Sequence, residues 1–237
     1  MSHILLYRAI AQNNTMFLKL LVKHNPCLVD SLLKCDEIMR QYFPSPEFSF
    51  TDLANGTDKR LKEVLQYPLY HEIITIIVQI YNAYCLNKFD YQYGIGICWG
   101  LLPTLLVSAS KNKEQLLNNL YQAIKLTISM HLSHQNKYYD SGCLLTVENY
   151  HQNEMKQFIQ DKAISDTVLG VIYTDTNYII SGSPNSLKII MEDPNISSNC
   201  KYVDAVRYPL HNPNHNQVTD QMYQEVDKSL FKLPTQN

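Results

Sequence analysis

The sequence predicts an α/β fold built in two parts, and three observations carry that expectation. A strand, a glycine-rich turn and an apolar helix follow one another across residues 91–109. From Cys143 the pattern changes to strand, helix, strand, strand, helix across residues 143–192, the order of a small split α/β unit. The composition, 45% hydrophobic and 18% charged over 237 residues, describes a chain able to bury a core of its own.

Taken in order, His3–Tyr7 (HILLY) is a short apolar run read as a buried strand, although so short a run is ambiguous. Phe17 to Met39 carries helical spacing interrupted at Asn25-Pro26, with Cys35, Asp36 and Glu37 between its polar and apolar faces. PSPEFSFTD (44–52) reads as a loop from its two prolines and polar residues. Thr57 or Asp58 is placed to cap a helix through Leu65, which Tyr67-Pro68 breaks. His71–Leu86 is apolar on nearly every face, the mark of a buried helix.

Tyr91–Gly94 follows as strand, Gly96–Gly100 as turn and Leu101–Ala109 as apolar helix. The next helix starts in the polar run Ser110–Glu114 and reaches His131, and LSHQNKYYDSG (132–142) has the composition of a boundary turn. Then come CLLTVE as strand, NYHQNEMKQFIQDK as helix, VLGVIYT and NYIISG as strands, and PNSLKIIME as helix. TDTN (174–177) is the turn between the two middle strands. A strand around Tyr202–Tyr208 leads into PLHNPNHNQ, a loop with two histidines, and 219–237 reads as a short helix and a polar tail.

The net charge of −2, with no block of like charge, advertises no nucleic-acid interface. Cys27, Cys35, Cys85, Cys98, Cys143 and Cys200 are scattered and form no CxxC pair, so no metal site is expected. The start carries none of the features of a signal peptide, and the most apolar run, Ile73–Ile80, is too short to span a bilayer. A cytoplasmic protein with reduced thiols is the expectation. Cys27, Cys35 and Cys85 are expected buried on helices, Cys143 opens a strand, and Cys200 is expected in the loop ISSNCK.

GIGICWGLLP (94–103) takes three of the seven glycines in the chain. A G-x-C-x-G turn between strand and helix lifts a nucleophile clear of the sheet, and its glycines admit close packing. The N-terminus of the following helix favours the thiolate, and the N–H of Trp99 is a natural oxyanion donor. The competing reading makes Cys98 an inert core residue, as most free cysteines are, and the motif alone leaves the two roughly even. A base is expected late in the chain, and His211 and His215 lie in the Pro/Asn loop there.

GIGICWGLLPTLLVSAS, with EQLLNNLYQAIKLTISM behind it, resembles the starter-unit acyl-carrier-protein transacylase domains of fungal polyketide synthases. Those belong to the wider malonyl-type acyltransferase family, which usually carries GHSxG. KHNPCLVDSLLKCDEIM, YPLYHEIITIIVQIYNA and NYIISGSPNSLKIIM are similar to family segments in the same order, and VRYPLHNPNHNQ is similar to the family's histidine segment. The resemblance implies a larger α/β-hydrolase-like part (1–142 and 200–237) and a small ferredoxin-like part (143–199). It implies that Cys98 takes an acyl group from a thioester and that His215 acts as base, with His211 its neighbour by alignment only. It also implies an acyl carrier protein phosphopantetheine thiol or coenzyme A as partner, with acyl-CoA as donor and no bound cofactor.

The chain departs from the family at three places. LLYRAIAQNN lacks the family's glycines after the first strand, so Gln12 or Asn13 stands in at the oxyanion hole. NLYQAIKL (119–126) has no arginine where malonyl-specific members pair one with the substrate carboxylate, so a neutral acyl group is expected. The sequence also ends ahead of the final strand and helices of a full domain. Expected site residues are Cys98 and His215 for catalysis, with Trp99, Gln12, Gly96 and Gly100 shaping the oxyanion and substrate site. A thioester hydrolase with the same residues and a non-catalytic relative are the alternatives.

Overall fold

The computed structural model describes residues 4–7, 14–44, 49–57, 67–86, 93–96, 100–138, 142–203 and 211–212. Two compact units divide the chain, one of residues 1–130 with 226–237 and the other of residues 131–225.

In the first unit β1 (Ile4–Tyr7) pairs in parallel with β2 (Tyr93–Gly96), from Ile4 opposite Tyr93 to Tyr7 opposite Gly96. Around this pair stand α1 (Asn14–His24), α2 (Leu28–Tyr42), α3 (Phe50–Asn55), α4 (Pro68–Leu86) and α5 (Leu101–Ser108). α4 is the core helix. Ile73, Ile74, Ile76, Ile77, Ile80 and Tyr81 have no exposed surface, and each buried isoleucine stabilises the fold by about 1.5–3 kcal/mol. The helix starts earlier than its apolar pattern suggests, with Pro68 as its first residue. Proline breaks a helix interior but suits the first position, where its missing N–H has no intrahelical partner.

Asn25-Pro26 does interrupt the first helical pattern, between α1 and α2. The PSPEFSFTD segment is only partly loop, because α3 begins inside it. Ser49 Oγ caps α3 by accepting from Asp52 N at 3.2 Å, and it donates to the buried Asp36 carboxylate at 2.6 Å. Asp36 also accepts from Phe50 N at 2.6 Å and Thr51 N at 3.2 Å. A single carboxylate on α2 thus holds the first turn of α3, which satisfies donors a helix start otherwise leaves open. The helix expected from Thr57 or Asp58 to Leu65 lies outside the described residues.

α6 (Lys113–Tyr138) crosses from one unit into the other and is longer than its apolar spacing predicts. The sequence stretch up to Tyr138 contains no glycine or proline, and polar composition alone does not end a helix.

The second unit carries a four-stranded antiparallel sheet in the order β4-β5-β3-β6, formed by β3 (Cys143–Val147), β4 (Val168–Ile172), β5 (Tyr178–Gly182) and β6 (Cys200–Tyr202). With α7 (Gln152–Asp161) after β3 and α8 (Pro184–Glu192) after β5, this is ferredoxin-like topology. Leu145, Val147, Tyr178 and Ile180 from the sheet pack with Met155 of α7 and with Leu187 and Ile190 of α8. The TDTN turn forms as expected, with Tyr173 N and Thr174 N both donating to Asn177 O at 3.0 Å.

The strand expected around Tyr202–Tyr208 begins earlier, since Cys200–Tyr202 pairs with β3 at the sheet edge, and 204–210 lie outside the described residues. Among the described residues no helix is long and apolar enough to cross a membrane.

Candidate functional site

The parallel register of β1 and β2 sets the geometry. Tyr7 and Gly96 are the last residues of their strands and are paired, so both chains leave the same edge of the sheet. One continues into residues 8–13, which include Gln12, and the other into 97–99, which include Cys98 and Trp99. In open α/β sheets the carboxyl edge of parallel strands is where ligands bind. Gln12, Cys98, Trp99 and His215 lie outside the described residues, whereas Gly96 and Gly100 are described.

Gly96 and Gly100 come together. A Cβ at Gly96 would collide with the carbonyl of Gly100 and lie 2.6 Å from the Leu101 Cα. The end of β2 therefore packs directly against the start of α5, and only glycine fits at 96. Gly94 has an equally definite reason: a Cβ there would stand 2.5 Å from Thr104 Cγ2. The helix thus lies directly on the strand.

Thr104 also donates through Oγ1 to Gly100 O at 2.8 Å, and Ser108 Oγ donates to Thr104 O at 2.8 Å. The methyl of Thr104 fills the space that Gly94 leaves, while its hydroxyl braces the start of α5. Sequence reading missed Gly94 and Thr104. The signal was available in the first glycine of GIG and a threonine four residues beyond Gly100.

Asn14 at the start of α1 donates to Thr75 Oγ1 at 2.6 Å, and Thr75 Oγ1 donates to His71 O at 2.8 Å. This buried chain fixes α1 to α4 two residues beyond Gln12. His71 is itself buried, and desolvation lowers its pKa.

In the second unit the loop expected to hold the base is described at His211 and Asn212. His211 adopts φ +58, which is unusual for a residue with a side chain. The buried Asn212 donates through Nδ2 to Asp166 O at 3.1 Å. The Asp166 carboxylate accepts from Ser183 N at 3.1 Å and from Ser186 Oγ, at the first turn of α8. Partial burial alone would raise the Asp166 pKa, but the Ser183 and Ser186 hydrogen bonds outweigh it and lower it. Gly182, the glycine of the ISG strand end, is packed tightly, since a Cβ there would lie 2.6 Å from Thr167 Oγ1.

The thiols differ from one another. Cys27 is exposed beside the start of α2, contrary to the expectation of burial, with its Sγ 4.0 Å from Tyr84 Oη. Cys85 is partly exposed where burial was expected, while Cys35 is fully buried. Cys200 opens β6 instead of lying in a loop, and burial pushes its pKa up to about 11. Among the described residues no group of three His, Cys, Asp or Glu side chains could hold a metal ion.

No protein-family model and no curated protein matches the sequence. Solved structures do match the fold. The malonyl CoA-acyl carrier protein transacylase from Coxiella burnetii superposes with a TM-score of 0.68 at 13% identity, over 95% of this chain and 68% of that one. The acyltransferase domain of the polyketide synthase PpsC of Mycobacterium tuberculosis gives 0.61 at 15% identity, over 94% and 62%. A malonyl-transacylase solved in complex with its type II polyketide synthase acyl-carrier protein gives 0.64 at 9% identity, over 94% and 68%. The chain has the malonyl-transacylase fold. Within that acyltransferase fold, Gly94, Gly96 and Thr104 shape the turn that leads into α5, and Asn14 ties α1 to α4.

Proposed function

We propose that the chain is an acyltransferase of the starter-unit kind. It moves a neutral acyl group from acyl-CoA or an acyl carrier protein, through a thioacyl intermediate on Cys98, to a carrier-protein thiol. The observation that carries this reading is the pairing of Tyr7 with Gly96. It puts the ends of β1 and β2, which precede Gln12 and Cys98 in the sequence, at one sheet edge, and Gly96 at the end of β2 meets Gly100 ahead of α5. The fold, shared with carrier-protein transacylases, supports it.

In this reading His215 takes the proton of the Cys98 thiol, and the thiolate attacks the thioester carbonyl. Trp99 N–H and a donor from the Gln12 segment stabilise the oxyanion. Collapse of the tetrahedral adduct breaks the carbon–sulfur bond to the donor, whose thiolate leaves with the proton held by His215. The carrier thiol then attacks the new thioester by the same steps, with His215 again taking the proton. Exchange of one thioester for another is nearly isoenergetic, so neither ATP nor a metal is required. The absence of arginine in NLYQAIKL favours an uncharged acyl chain, because the segment lacks the guanidinium fork that pairs a buried carboxylate in two hydrogen bonds.

The test is intact mass after incubation with acetyl-, hexanoyl-, long-chain and malonyl-coenzyme A, beside Cys98→Ala and His215→Ala. A stable adduct from the neutral donors is expected, absent in Cys98→Ala and formed about 10²–10⁴ times more slowly in His215→Ala. Rapid release of free acid would make the chain a thioester hydrolase. No adduct and no released coenzyme A from any donor would overturn the enzymatic reading in favour of a non-catalytic acyltransferase-like protein.

A further inference from the structure

Three features of the second unit converge on the corner formed by His211 and Asn212. The first is a gap on β4. The β4–β5 register shifts between Leu169 and Val171, which makes Gly170 the site of a bulge. A Cβ on Gly170 would stand 3.0 Å from His211 Cβ and 3.2 Å from His211 O, tighter than an ordinary contact, with Ser181 Cβ at 3.6 Å. His211 therefore packs closely against β4 at Gly170, where a side chain would crowd it.

The second feature is the tether. Asn212 Nδ2 donates to Asp166 O, and the Asp166 carboxylate is held in turn by Ser183 and Ser186 at the first turn of α8. The corner is thus fixed to β4 on one side and, through Asp166, to α8 on the other. The third is conformational cost. His211 holds φ +58, and the fully buried Ser181 Oγ, on the strand beside Gly170, has no hydrogen-bond partner among the described residues. Strain and an unsatisfied hydroxyl at one spot mark a surface not optimised for stability alone.

We propose that Gly170 and Asn212 are positioning residues, which seat the His211–Asn212 corner and so set the point from which the chain runs three residues on to His215. The inference rests on the reading of Cys98 as nucleophile and His215 as base. A bulge next to a functional loop is a familiar means of aiming a side chain, and a small displacement of a base is costly to proton transfer.

The experiment follows single-turnover acylation of Cys98 by hexanoyl-coenzyme A, and the pH profile of Cys98 alkylation by iodoacetamide read by peptide mass. It compares the wild type with Gly170→Ala, Asn212→Ala and Asn212→Asp, the last of which keeps the shape and removes the donor. The maximal acylation rate should fall about tenfold in Gly170→Ala and several-fold in both Asn212 variants, with the half-saturating donor concentration unchanged. Their Cys98 alkylation profile should move to higher pH as the base loses its place, while that of Cys200 stays put. A merely structural role would lower the melting temperature and leave that profile alone.

Should Gly170→Ala fail to fold, the Asn212 pair carries the comparison. Wild-type rates and profiles in folded variants would overturn the proposal and leave the Cys98–His215 reading standing. A wild type that never acylates at Cys98 would bring down both.

Discussion

The Leu101 α-carbon occupies the space that a side chain on Gly96 would need, 2.6 Å from the position of its Cβ. The conflict is with backbone, which cannot rotate away as a flexible side chain can. Gly96→Ala should therefore open the turn between β2 and α5. Overpacking of this sort costs about 1–3 kcal/mol, and in a chain of this size each kcal/mol lowers the melting temperature by about 2–4 °C. Thermal unfolding measures the first loss. Acyl-enzyme formation measures the second, which should exceed what the fall in stability explains.

Thr104→Val separates the two functions of that side chain. It keeps the methyl packed against Gly94 and removes the hydroxyl that Gly100 O accepts from. The expected cost is about 1 kcal/mol, read as a lower denaturant midpoint with an unchanged slope. Thr104→Ala empties the space as well and should lose more. Equal losses would mean that the methyl contributes nothing.

Asp36→Ala should release α3. Three donors lose their acceptor at once, and hydrogen bonds to a charged group are worth about 1.5–3 kcal/mol each in isolation. Solvent will satisfy some of them, so a total near 3 kcal/mol is expected from urea unfolding. Ser49→Ala, which removes one cap, should cost about 1 kcal/mol.

These contacts show where sequence reading reaches and where it stops. The close approach of Gly96 and Gly100 was legible because the spacing of the glycines is local, and the ferredoxin-like order was legible from successive patterns after Cys143. The start of α3 was missed because its stabilising partner, Asp36, sits thirteen residues before Ser49 on another helix. The seat of His211 was invisible for the same reason: nothing near Gly170 in sequence announces that residue 211 will rest on it. Cys27 was read as helical and buried, but it precedes α2 beside Asn25-Pro26 and stays exposed. Helical spacing says little about the residue just outside the helix.

Thiol reactivity offers a check of burial that is independent of any activity. With iodoacetamide at pH 8, Cys27 should react fastest of the described thiols. Cys200, its pKa raised to about 11, should be slow, because the thiolate is the attacking form. Cys35 has no exposed surface and should react only when the first unit unfolds. Labelling of Cys35 at the rate of Cys27 in native buffer would contradict the packing of α2.

Acid should weaken the protein in two pH windows. His71 in the first unit has a lowered pKa because it is buried, so the unfolded state binds its proton first. The stability this holds is complete above the unfolded histidine value of about 6.5 and declines below it until the folded pKa is passed. In the second unit burial lowers the His211 pKa in the same way, so that unit shares the first window. Hydrogen bonds from Gln152 and His151 also lower the Asp175 pKa there, while those from Ser183 and Ser186 lower that of Asp166. Their contribution is present above the unfolded carboxylate value of about 4 and is lost only as pH falls through the lower folded values. Urea midpoints followed by tryptophan emission from Trp99 and by exchange of second-unit amides should therefore begin to fall near pH 6.5 in both units, with a further fall near pH 4 in the second. His71→Leu replaces a buried imidazole, whose Nδ1 has no partner among the described residues, with an apolar side chain. It should leave neutral-pH stability close to wild type and flatten the decline between pH 6.5 and 5. An unchanged decline in that variant would assign the first window to another group.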